Sequence, residues 1–99
     1  MHAVVNHLHF NVVIDPALFV KARNDLEPQM RTIDKFESFF VVQTSDKDAF
    51  LVIVAENAET LDQIATQFGS PWMRANVLPL LARPPERHIG PVVTSTQYP

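Results

Sequence analysis

Phe36-Glu37-Ser38-Phe39-Phe40-Val41-Val42-Gln43-Thr44-Ser45-Asp46-Lys47-Asp48-Ala49-Phe50-Leu51-Val52-Ile53-Val54-Ala55-Glu56 is the stretch on which the fold turns. Two β-branched and aromatic runs flank a polar tetrapeptide, Ser45-Asp46-Lys47-Asp48, the pattern of a β-hairpin. With the turn placed there, alternation puts Phe40, Val42, Leu51 and Ile53 on one side and Phe39, Val41, Phe50, Val52 and Val54 on the other. Both sides are apolar, so both need a cover. Helices of the same chain can supply one. A second copy of the sheet is the simplest source of the other, which predicts a homodimer.

On the amino-terminal side, Val4 to Val13 alternates as a strand. Asn6, Leu8, Phe10 and Val12 share one face, and Val5, His7, His9, Asn11 and Val13 share the other. Asp15-Pro16 then supplies an N-cap and a first-turn proline for a helix in which Phe19, Ala22, Leu26 and Met30 repeat at helical spacing. Pro28 is expected to kink or end it. Beyond the hairpin, Asn57 caps a second helix with Leu61, Ile64, Ala65 and Phe68 inward. Gly69 is expected to stop that helix, and Ser70-Pro71 to restart it through Trp72, Met73, Val77, Leu80 and Leu81, with Pro79 disturbing the last turn. Arg83 to Arg87 reads as a loop, and Ile89 to Ser95 as a last strand whose Pro91 fits only an edge position or one reaching toward a partner.

The order β, α, β, β, α, β predicts an α+β chain of ferredoxin-like type, residues 1–99 forming one domain. Its four-stranded antiparallel sheet carries two helices on one face and pairs with a second copy as a dimeric α+β barrel. Composition agrees with a small domain that gains from a partner: 99 residues, 46% of them hydrophobic. The net charge of −3, with eight basic residues scattered among eleven acidic ones, offers no basic stripe for nucleic acid. The absence of cysteine removes thiol chemistry, disulfides and thiolate metal sites together and favours a reducing compartment, so the cytoplasm is expected. The first residues have no basic region, and Asn6 and His7 break their apolar run, so neither a signal peptide nor a membrane span is expected.

Three segments carry a resemblance that extends over nearly the whole chain: Asn6-His7-Leu8-His9-Phe10, Phe39-Phe40-Val41-Val42-Gln43-Thr44 and Gly69-Ser70-Pro71-Trp72. Together with the element order, they make the chain resemble the dimeric α/β-barrel group of antibiotic biosynthesis, quinol and haem-degrading monooxygenases. The resemblance implies a pocket between the sheet and the second helix for a flat, apolar, oxidisable molecule, oxygenated without a cofactor. Asn6 matches an Asn of the haem-degrading branch, but that branch's Trp and iron-binding His would fall near Thr66 and Asn76. Neither side chain is a usual axial ligand for haem iron.

Among the residues that could carry chemistry, Asn6 comes first. An amide on an apolar face needs a hydrogen-bond partner, and here it could either serve the structure or orient a substrate oxygen. His7 and His9 project side by side and could ligate a metal with His88 or Glu56 as a third ligand. Packing inside the barrel is the favoured role for the pair, so no metal is expected. His9 is also a candidate base for a phenolic proton. Trp72 would form a stacking wall, with Phe10, Phe68 and Met73 as apolar lining and Asn76 one helical turn beyond Trp72; Arg74 and Arg87 could hold an anionic group. The resulting expectation is a cofactor-independent monooxygenase for a quinol- or anthrone-like substrate. The alternative is a non-catalytic binder of a small hydrophobic ligand or haem.

Overall fold

The computed structural model describes residues 1–96. The strands are β1 (His2–His9), β2 (Phe36–Gln43), β3 (Asp48–Ala55) and β4 (Glu86–Pro91), and α1 (Pro16–Met30) lies between the first two. A second helical run, α2 (Ala58–Ile64) followed by α3 (Ser70–Asn76), connects β3 to β4. The four strands form one antiparallel sheet in the order β2-β3-β1-β4, the ferredoxin-like arrangement expected from the element order. β4 takes an edge, where Pro91 costs no ladder hydrogen bond. It starts at Glu86, inside the segment expected to be a loop, and ends at Pro91, short of Ser95.

The hairpin closes one residue earlier than its sequence indicates. Asp48 belongs to β3, and its carbonyl accepts from Thr44 N at 3.0 Å, so Val41 lies opposite Leu51 and Phe39 opposite Ile53. A one-residue shift in pairing exchanges the cross-strand partners. Phe39, Val41, Leu51 and Ile53 therefore face the helices together, while Phe40, Val42, Phe50 and Val52 share the open face. Both faces remain apolar, although the partition differs from the expected one.

The core lies between the sheet and the helices. Val4 and Leu8 of β1, Ala49, Leu51 and Ile53 of β3, Ala22, Leu26 and Met30 of α1, and Leu61 and Ile64 of α2 are buried in one cluster. Asp15 caps α1 by accepting from Ala17 N, with Pro16 in the first turn. Pro28 does not end the helix at once: α1 runs to Met30, since a proline in the last turn forfeits only one bond.

Asn57 caps α2 by accepting from Thr60 N at 2.8 Å, but Gly69 does not stop the second helix. Residues Ala65–Gly69 form a π-helical turn that leads straight into α3, and Gly69 (φ −66°) and Ser70 (φ −65°) both keep right-handed helical backbone. Ser70 caps nothing. Pro71 accounts for the wide turn, because in a regular α-helix its ring would press on the carbonyl four residues earlier. After Asn76, Leu78–Leu80 form a 3-10 turn around Pro79. Among the described residues no helix is long and apolar enough to cross a membrane.

Candidate functional site

A cavity of about 380 Å³ opens between the helix-facing side of the sheet and the second helix. Its floor is built from Val4, Asn6, Phe39, Leu51 and Ile53. The helical run supplies its roof through Ala65, Gly69 and Met73, which recur every fourth residue and so stack on one helix face. Leu26 and Met30 of α1 close one side. Such a volume, mostly apolar with a few polar groups, suits a small organic molecule. Among the described residues the polar lining consists of Asn6, Ser70, Arg74 and Arg87, with no His, Asp or Glu. Arg87 pairs with Asn6 across β1 and β4 and donates to Asp62 Oδ1 at 3.3 Å.

Of the residues singled out from the sequence for chemistry, Asn6, Met73, Arg74 and Arg87 line this cavity. The others lie elsewhere. Trp72 turns toward α1, where it is 9% exposed and its Nε1 donates to Asp25 Oδ2 at 2.9 Å. It is thus a clamp between helices and no stacking wall, because position 72 is a quarter-turn from the Gly69–Met73 face. Asn76 Nδ2 donates back to the Trp72 carbonyl at 3.0 Å. Phe10 is buried beside Phe19 in an edge-to-face pair, and Phe68 packs at the edge of the core. Lys21 and Trp72 both donate to Asp25, which holds its carboxyl below the usual 3.8.

His9 is on the far side of the sheet from Asn6, as strand alternation dictates for positions of opposite parity, so the two cannot act on one bound molecule. On that open face His7 and His9 converge on Asp48. Its Oδ1 accepts from His7 Nε2 at 3.0 Å and from His9 Nδ1 at 2.6 Å, while Oδ2 accepts from the Ser45 hydroxyl at 2.8 Å. His9, then Ser45 and His7, hold the Asp48 carboxyl far below its ordinary value. His7 stacks on Phe50 with ring centroids 4.4 Å apart, and its Nδ1 lies 3.6 Å from Glu86 Oε2. Asp48, and neither His88 nor Glu56, is therefore the third member of the histidine pair. Only the pairing of His9 with Asp48 across β1 and β3 discloses it, and those strands are not sequence neighbours.

A ferredoxin-like fold with a donor-lined apolar pocket under its second helix is the class these features define. No protein-family model matches the sequence, and no curated protein does. Solved structures do. SnoaB from Streptomyces nogalater, described as a cofactor-independent oxygenase, superposes with a TM-score of 0.72 over 96% of this chain and 95% of its own, at 12% identity. A Nitrosomonas europaea protein provisionally described as an antibiotic biosynthesis monooxygenase gives 0.72 over 95% of this chain and 100% of its own, at 13% identity. Rv0793 from Mycobacterium tuberculosis gives 0.68 over 96% and 97%, at 18% identity. The chain has the fold of antibiotic biosynthesis monooxygenase-like proteins, and at these identities the likeness is one of fold.

Proposed function

We propose that the cavity binds a planar, apolar molecule bearing an acidic hydroxyl or enolisable carbonyl and that the protein oxygenates it without a cofactor, as a quinol- or anthrone-type monooxygenase. The observation that carries this reading is the polarity of the lining: an amide, a hydroxyl and two guanidinium groups in an apolar setting, with no carboxylate among the described residues. Hydrogen-bond donors aimed at a substrate oxygen favour its ionised form, and a dry surround strengthens them. The resulting electron-rich anion can react with dioxygen directly, with a ring methylene becoming a carbonyl and the second oxygen atom leaving as water. Asn6 orients the substrate oxygen, Arg74 and Arg87 hold its developing charge, and Met73 packs on the ring face. Among the described residues no imidazole lines the pocket, so the substrate's proton passes to solvent and turnover rises with pH toward the substrate's own pKa.

Oxygen uptake with a panel of hydroquinones and anthrones tests this. Wild-type protein is expected to exceed a boiled control, and Asn6→Ala to slow uptake by roughly 100-fold, the scale of losing one oxyanion donor. Uptake at the control level would refute the oxygenase. The lack of a proton acceptor in the lining favours a second reading, a binding protein for the same ligand class. Quenching of ligand fluorescence with no oxygen consumed would select it.

We further infer that the open sheet face pairs with a second copy. Phe40 and Val42 are about half exposed there, with Phe50 and Val52 partly exposed beside them, a contiguous apolar patch of the kind that marks an interaction surface. A cytoplasmic setting, which the cysteine-free composition favours, belongs to the same reading.

A further inference from the structure

We propose that His7, His9 and Asp48 form a binding site for a divalent first-row transition-metal ion, on the face of the sheet opposite the cavity and independent of it. The three side chains offer two imidazole nitrogens and a carboxylate oxygen, all within 4.8 Å of one another. In a tetrahedral zinc site with bonds near 2.0–2.1 Å, neighbouring ligand atoms stand about 3.3 Å apart. Here the histidine nitrogens lie 3.0 and 2.6 Å from Asp48 Oδ1, so an ion enters if the His7 separation widens by about 0.3 Å and the His9 separation by about 0.7 Å. All three side chains are partly exposed, which permits that movement.

The surroundings are those of a metal centre. His7 Nδ1 faces Glu86, the carboxylate–imidazole pairing that fixes a ligand's tautomer and raises its basicity. Stacking on Phe50 sets the His7 ring plane. Ser45 engages Oδ2 of Asp48 and leaves Oδ1 turned toward the histidines. Two imidazoles and a carboxylate select zinc, iron(II), cobalt(II) or nickel(II) over calcium or magnesium, which prefer all-oxygen shells. Three protein ligands leave at least one position for water or an exogenous ligand. The ion would tie the last residue of β1 to the first of β3, at the end of the sheet.

Zinc titration calorimetry on the untagged, chelator-stripped chain tests the site, with cobalt(II) visible absorption as a second probe and sedimentation to follow assembly. One ion per chain is expected. Asp48→Asn and His9→Gln should each weaken binding by at least the roughly 100-fold that an outer partner alone can command, and Glu86→Gln by about tenfold. His88→Gln, on the same face but outside the cluster, should leave affinity unchanged. If Asp48→Asn does not fold, the half-exposed His9→Gln carries the test. Equal zinc affinity in wild type and His9→Gln would overturn the site, as would loss of binding in His2→Gln alone, which would put the ion at the amino terminus.

Discussion

The two faces of the sheet use the same residue types to different ends. Toward the helices, Leu51, Ile53, Val4 and Leu8 are almost fully buried, and the gap left among them is a ligand-sized cavity whose polar groups are donors. On the other face, Phe40 and Val42 stay about half exposed, and the polar groups include the Asp48 carboxylate with the His7 and His9 imidazoles. The difference separates two settings: an apolar pocket lined by hydrogen-bond donors on one side, and a partly exposed carboxylate–imidazole cluster at the end of the sheet on the other.

The largest effect expected from breaking this contrast comes from the covered face. Leu8→Ala removes a fully buried side chain and should cost about 3–5 kcal/mol in urea unfolding, whereas Val52→Ala on the open face should cost under about 1 kcal/mol in a monomer. A large loss in Val52→Ala at high protein concentration that vanishes on dilution would show the open face to be covered. Next in size is the paired substitution of Phe40 and Val42 by lysine. Sedimentation should show a dimer becoming a monomer with the fold retained, and a wild-type chain already monomeric at micromolar concentration would remove the second copy from the account.

The smallest effect concerns the helical cover itself. Asp25 bonds Lys21 and Trp72, and its carboxyl titrates below the usual 3.8 in the folded chain. That interaction therefore stabilises the fold fully above about pH 4 and is lost as pH falls through the lowered folded value. Asp25→Asn should lower the melting temperature modestly at pH 7, converge with wild type near pH 2, and so flatten the fall between pH 4 and pH 2. An acid profile superimposable on wild type would mean that Trp72 is held by packing alone.

Much of the fold was legible in the sequence because it rests on local signals. Asp15-Pro16 and Asn57 cap helices as their chemistry dictates, and the alternation of β1 places Asn6, Val4 and Leu8 toward the helices. What escaped depends on phase or on distant pairing. The hairpin register rested on one turn residue, Asp48, which joined a strand. The helix face rested on a π turn, which no apolar periodicity announces, and Trp72 consequently took the place of a wall in expectation while Ala65, Gly69 and Met73 hold it in fact. Of the pocket's arginines, Arg87 arrives through β4 pairing with β1, which a linear reading does not supply.

The π turn has one further consequence. An insertion of one residue in a helix rotates everything after it by about 100° about the axis without disturbing what precedes it. Deleting a single residue between Ala65 and Gly69 would thus swing Met73 and Arg74 away from the cavity and bring other side chains over it, with the buried Leu61 and Ile64 untouched. In this architecture a change of chain length by one residue, more than any substitution, is the means by which a descendant could acquire a differently lined cavity.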